Sequence, residues 1–299
     1  MPQKDFWPTG LAVALALKRH HYPLVQSAAA DLGLEKLNWI ILIKALSFEP
    51  DPLSTDGLLF RDPYMAPSFL DDLLAAFVEA GELVREEDGG HRLSDQGRAH
   101  AHELLGVMQG FKLDYEPLSA RDLERLTEFL QQVVEACLEA PEPPRKLSLL
   151  RSRRLDPGVD APGLVRVTQY LDDLEAHRDQ AHLSSWLHHG IDAHAWEAFS
   201  FIWRGRASTV DDLAKMLQYR GHSRDDYAAG VEELIGRGWV ETTDEGLQAT
   251  EAGSAVRQKA TDQTLEYFLA PFRDAVDLEE LEDLLAGLRD GIKTPDGAA

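Results

Sequence analysis

Asp226-Tyr227-Ala228-Ala229-Gly230-Val231-Glu232-Glu233-Leu234-Ile235-Gly236-Arg237-Gly238, continued by Trp239-Val240-Glu241-Thr242, Asp244-Glu245-Gly246 and Leu247-Gln248-Ala249, decides the fold. Tyr227, Val231, Leu234 and Ile235 recur at the spacing of one helical face, and Gly238 stands where a helix C-cap wants a positive φ. A period of two then replaces the helical one on both sides of a turn containing Gly246, which predicts a β-hairpin. Thr250, ahead of Glu251-Ala252-Gly253, supplies a hydroxyl where the next helix starts.

The pattern has a copy upstream. Phe69-Leu70-Asp71-Asp72-Leu73-Leu74-Ala75-Ala76-Phe77-Val78-Glu79-Ala80-Gly81 precedes Glu82-Leu83-Val84-Arg85-Glu86, the turn Asp88-Gly89-Gly90, and His91-Arg92-Leu93. Superimposing Gly81 on Gly238 pairs Leu70 with Tyr227, Leu74 with Val231, Phe77 with Leu234 and Val78 with Ile235. Leu93-Ser94-Asp95-Gln96-Gly97 then matches Ala249-Thr250-Glu251-Ala252-Gly253. Such self-similarity at a long offset is the mark of an internal duplication. Two further helices precede each copy, over about 193–204 and 209–218 in the second and about 36–48 and 54–60 in the first. Three helices and a two-stranded wing make a winged helix-turn-helix. The expected fold is mainly α with two small β-hairpin wings: tandem winged helix-turn-helix domains joined by a helical spacer.

The expected division is a first winged-helix domain with an N-terminal helix over 1–112, a helical spacer over 113–190 and a second winged-helix domain with C-terminal helices over 191–299. Within the spacer an amphipathic helix over 118–140 ends at Pro141-Glu142-Pro143-Pro144, a hinge because proline cannot continue a helix. A longer helix over 164–188 leads into the second module. Leu278, Leu281, Leu285 and Leu288 put one apolar face on a last helix, to pack on its own domain or on a second subunit, and 295–299 reads as a frayed end.

Composition narrows the function. The 299 residues carry 30 Lys and Arg against 52 Asp and Glu, a net charge of −22, and protonating all 11 histidines would leave it at −11. Such acidity opposes non-specific attraction to nucleic acid or anionic membrane, although a local basic face remains open. Cys137 is the single cysteine, so no internal disulfide and no multi-cysteine metal site is expected; its apolar helical neighbours suggest core packing. The apolar run 11–17 is followed by Lys18, Arg19, His20 and His21, where a signal peptide should stay uncharged. It reads as part of a soluble helix, no run is long enough to span a membrane, and the expected location is cytoplasmic.

Residues 234–240 with 249–253 resemble the third helix, wing and following helix of MarR-type bacterial regulators, and 77–84 with 92–98 look similar. The stretch 260–272 is similar to the tail of a poorly characterised set of bacterial winged-helix proteins. The resemblance implies a homodimer in which the third helix enters the major groove of double-stranded DNA and the wing touches the flanking backbone.

The charges meet that implication unevenly. A groove-reading helix presents Arg, Lys, Asn or Gln to base edges, yet 68–81 contains no cation, and Glu86, Glu87 and Asp88 occupy the first wing tip. The first copy therefore reads as a structural or partner-binding module. In the second, Lys215, Arg220, His222, Ser223 and Arg224 cluster at the turn into the third helix, opposed by Asp225, Asp226, Glu232 and Glu233. They are the candidate DNA contacts, with Arg151, Arg153 and Arg154 as auxiliary phosphate contacts. The basic segment Arg145-Lys146 to Arg154 has a second reading, preferred because charge runs are usually solvated: a linker that faces water or pairs with the protein's own acids. Two function classes remain: a DNA-binding regulator, and an interaction scaffold whose acidic surfaces hold a basic protein partner.

Other chemistry has little support. His177, His182, His188, His189 and His194 lack the four-residue spacing of ligands on one helix face, so no metal site is expected. No nucleophile elbow, phosphate-binding glycine loop or dinucleotide fingerprint occurs, so neither catalysis nor a cofactor is expected. Trp186, Trp196, Phe199, Phe201 and Trp203 would either line a ligand pocket or fill a core, and aromatic residues at helical spacing more often do the latter.

Overall fold

A computed structural model describes residues 6–272 and 275–294; the frayed end expected at 295–299 lies outside them. The order is α1 (Trp7–Asp31), α2 (Ile40–Phe48), α3 (Thr55–Leu59), α4 (Pro67–Glu79), β1 (Leu83–Arg85), β2 (His91–Leu93), α5 (Asp95–Gln109), α6 (Ala120–Glu139), α7 (Leu147–Ser152), α8 (Gly163–Trp186), α9 (Ala193–Trp203), α10 (Val210–Met216), α11 (Arg224–Gly236), β3 (Val240–Thr243), β4 (Gly246–Ala249), α12 (Glu251–Leu269) and α13 (Leu278–Gly291). The fold is mainly α, with two antiparallel hairpins in which Leu83 pairs with Leu93 and Val240 with Ala249. Hydroxyls start many of the helices: Ser94 does so as expected, and Ser54, Ser119, Thr209 and Ser223 likewise each accept a first-turn amide proton.

The two hairpins are entered and left by the same bonds. Gly81 (φ 76°) and Gly238 (φ 72°) end α4 and α11 in left-handed backbone. The next amide reaches back to Phe77 O at 2.9 Å in one case and Leu234 O at 3.0 Å in the other, the closing bond of a Schellman motif. On the far side, Ser94 N donates to Glu82 O and Thr250 N to Trp239 O, both at 3.0 Å. The two hydroxyls donate to Gly81 O and Gly238 O, both at 2.6 Å, and accept from Gly97 N and Gly253 N. A Cβ on Gly97 would lie 1.9 Å from Glu82 O, and one on Gly253 2.0 Å from Trp239 O, so the return helix starts only where there is no side chain.

The chain forms two compact units: Met1–Leu53 with Ala76–Gln180 and Tyr267–Ala299, and Ser54–Ala75 with Ala181–Glu266. In the first, α1 buries Trp7, Gly10, Val13, Leu17, His21, Val25 and Ala29, spaced as one face. Leu171 and Leu285 pack beside Gly10, at ordinary contact distance from where a Cβ would stand. The leucine stripe of α13, with Leu281, Leu285 and Leu288 fully buried, is therefore packed within its own unit. Cys137 is also fully buried, in the apolar face of α6, and burial pushes its thiol up.

Two histidines of this unit sit in the core, each 1% exposed. Burial lowers the pKa of His21 to about 4, helped by Lys18, and that of His177 to about 4 although Phe268 O favours its proton. An unfolded histidine protonates near pH 6.5, so between pH 6.5 and 4 the unfolded chain binds more protons and stability falls as pH falls, by about 3 kcal/mol per histidine. Asp173 works in the opposite sense. Burial raises it to about 6 despite its bonds to Ser152, Arg153 and Gln169, so below pH 6 the folded state takes up a proton the unfolded state lacks until about pH 4. Its contribution cancels roughly one histidine. A net acid loss of about 3 kcal/mol is expected between pH 6.5 and 4, checked by urea midpoints across that window. His177→Gln should flatten the profile, and a profile equally steep in that variant would remove His177 from the account.

Candidate nucleic-acid interface

In the second unit α9 and α11 cross in close contact. A Cβ on Gly230 would lie 3.0 Å from the Cβ of Ala195, so the glycine allows the approach. Tyr227, Val231 and Leu234 of α11 join Trp196, Phe199 and Ile202 of α9, Leu213 of α10 and Val240 of β3 in one core. The opposite side of α11 faces solvent. Both helices of the pair α10–α11 begin with a capping box: Thr209 with Asp212, and Ser223 with Asp226. The connection turns at Gly221 (φ 81°).

This geometry sorts the candidate contacts. Arg220 points inward. Its guanidinium donates to Glu197 at 2.7–3.2 Å and to Asp62 at 2.9 and 3.1 Å, and its side chain is 15% exposed. Burial opposes its charge, but Glu197 and Asp62 outweigh that and hold it protonated. Arg220 thus anchors the turn rather than facing a phosphate. His222 is half-buried, with Nε2 3.1 Å from Tyr64 O and its ring stacked on His194 at 4.6 Å; burial, then the neighbouring His194, lowers its pKa. Ser223 spends its hydroxyl and amide on Asp226. Lys215 and Arg224 are the exposed cations of the set. Arg224 pairs with Asp211 at 2.6 Å, at the surface where both side chains are mostly solvated.

The auxiliary arginines belong to the first unit and correct the reading of their segment as a phosphate-tracking linker. The chain over Leu147–Ser152 is helical and folds back. Arg154 donates to the carbonyls of Ser47, Phe48 and Glu49 at 3.1, 2.7 and 2.8 Å, closing the C-terminus of α2. Arg153 donates to buried Asp173 at 2.8 Å and also to Asp156. Arg151 lies 3.7 Å over the ring of Phe48, and Lys146 closes α6 through Leu138 O and Ala140 O. Of the other reading, a linker that faces water or pairs with the protein's own acids, only the pairing holds, for Arg153 with Asp173 and Asp156 and for Arg154 with Asp51; the remaining contacts go to backbone carbonyls and a ring.

Sequence reasoning missed the partners of these cations. Asp62 is 158 residues from Arg220, so no local pattern joins them. Glu197 and Asp211 were within reach of a charge inventory. Gln218 and Tyr219, exposed in the turn between α10 and α11, carry no charge by which a phosphate contact is recognised in sequence; Tyr219 is 55% exposed. Carboxylates surround the solvent side: Asp225, Glu232, Asp244 and Glu245 are exposed.

Two capped helices joined by a tight turn and followed by a hairpin define the class, a helix-turn-helix domain with a wing. Residues 155–295, a little under half of the chain, match a helix-turn-helix family. No curated protein and no solved structure matches the chain. Among the described residues, no helix is long and apolar enough to cross a membrane.

Proposed function

We propose that this protein is a DNA-binding transcriptional regulator of MarR-like, tandem winged-helix design that contacts duplex DNA through α10, α11 and the β3–β4 wing, as a homodimer. The observation that carries the reading is the family match falling on a rigidly capped helix pair whose outer side is free. Lys215 and Arg224 supply the phosphate contacts, with Gln218 and Tyr219 beside them in the turn. Arg220, His222 and Ser223 shape the turn from within.

So few cations make a quantitative expectation. Each neutralised phosphate contributes about −0.9 to the log–log salt slope, so two per protomer give a slope of about −3.6 for a dimer. Fluorescence anisotropy of a labelled duplex titrated at several salt concentrations measures it. Asp211→Asn frees Arg224 and removes an opposing charge, and is expected to tighten binding by about two- to fivefold, the range of a solvated ion pair. Absence of binding at low salt, to random and to selected duplexes alike, sinks the proposal. The acidic residues on α11 and the wing then favour the second reading, an interaction scaffold that holds a basic protein partner, which a lysine-rich peptide titration would test.

A further inference from the structure

Arg257, on α12 in the second unit, is 3% exposed, and among the described residues no carboxylate pairs with it. Its Nη2 donates to Ser200 Oγ at 2.9 Å, while Nε and Nη1 have no acceptor. Aromatic rings surround the guanidinium: Cζ lies 4.3 Å from the ring centre of Trp196 and 5.7 Å from those of Phe199 and Trp203. Glu197, one residue from Trp196, is already taken by Arg220. In a chain with 52 acidic residues, a buried guanidinium left without one is a specific arrangement. Burying a charge is unfavourable unless something answers it, and cation–π contacts answer only in part.

More unmet donors belong to the same stack of rings. Trp186 and Trp196 stack at 5.2 Å with an interplanar angle of 10°, and Tyr64 stacks on Trp186 at 6.0 Å. The indole N–H of Trp196 is buried and has no partner, while the buried hydroxyl of Tyr64 meets only the indole N–H of Trp186 and finds no acceptor for its own proton. The two tryptophans are 0% and 1% exposed. Indole N–H and guanidinium groups only donate. What the cluster lacks is therefore an acceptor, and beside a cation the acceptor that suits it carries negative charge. Burial drags the pKa of Arg257 down to about 10, in keeping with an uncompensated charge.

We propose that Arg257, with the indole N–H of Trp196 and the hydroxyl of Tyr64, forms an internal site for a small anion, a halide or the carboxylate of a one- or two-carbon acid. Occupancy stabilises the second unit by satisfying donors that the chain leaves unmet.

The full-length protein is heated in chloride, bromide, formate or acetate at constant ionic strength, with gluconate as the bulky balancing anion. The expected result is a saturable rise in the unfolding midpoint of at least about 2 °C. Arg257→Met keeps the length of the side chain and removes the charge, so it should fold at least as stably in gluconate and lose the rise. Should that variant not fold, Tyr64→Phe keeps the stack, deletes one donor and should weaken the apparent affinity several-fold. A larger response to halides assigns the site to inorganic anions, and a larger response to formate and acetate assigns it to carboxylates. No saturable response in the unmodified chain, or an equal one in Arg257→Met and Tyr64→Phe, overturns the proposal.

Discussion

Alanine at Gly253 is expected to lower the stability of the second unit by about 3 kcal/mol or more. The added carbon would stand 2.0 Å from Trp239 O. That oxygen accepts the amide proton of Thr250, whose own hydroxyl closes onto Gly238 O and holds Gly253 N. Relief therefore requires moving the start of α12 away from the hairpin, which breaks the cap as well. The contrast is Gly236→Ala, exposed in the last turn of α11, where nothing lies within 4 Å of the new carbon. There alanine should be neutral or stabilise by up to about 1 kcal/mol through the unfolded chain. Urea midpoints of the two variants decide the matter: equal midpoints would show that the close approach is not a constraint. Gly97→Ala should repeat the result in the first unit, since its carbon would meet Glu82 O at 1.9 Å.

Arg220→Ala should cost about 3 kcal/mol, whereas Arg224→Ala should change stability by about 0.5 kcal/mol or less. Both residues flank the same turn, and their surroundings make the difference. Arg220 and Glu197 are 15% and 13% exposed, while Arg224 and Asp211 are 59% and 75% exposed. Removing Arg220 strands Glu197 in a site whose burial already raises its pKa, and also releases Asp62. The penalty is then mostly that of an unanswered carboxylate. It follows that Glu197→Met on top of Arg220→Met should restore part of the loss. Chemical unfolding followed by circular dichroism reads all four variants. Loss of DNA binding in Arg220→Ala alone would thus report a disturbed turn, and loss in a folded Arg224→Ala would report a phosphate contact. An Arg220→Ala protein as stable as the parent would refute the anchoring role.

Much of the fold was legible because local signals agreed with one another. The apolar faces before Gly81 and Gly238, the two-residue alternation and the hydroxyls at Ser94 and Thr250 are short-range features, and each sets a bond that the structure contains. Thr209 and Ser223 start their helices in the same way, although Ser223 reads in sequence as a DNA contact. The candidate site was less legible, because the fate of a cation depends on which carboxylate or carbonyl the tertiary fold brings to it. Arg153 and Arg154 read as a solvated or phosphate-tracking run, yet their partners Asp173 and Ser47 are 20 and 107 residues away. Arg220 reads like Arg224, and only the positions of Glu197 and Asp62 separate them. The aromatic residues over 186–203 read as core, and Trp186, Trp196 and Phe199 are buried there, but their periodicity carries no information on whether the polar edges of the rings find partners.

The second compact unit takes Ser54–Ala75 from far upstream of the rest. That short segment brings Asp62 to Arg220, Tyr64 to the tryptophan stack and Phe69 to the face of Gly221. The stretch matched as helix-turn-helix begins only at residue 155. Modularity in sequence and modularity in folding thus part company. A fragment cut to the family boundaries would carry the motif without the piece that completes it, and a recombination event that moved residues 155–295 alone would move an unfinished domain.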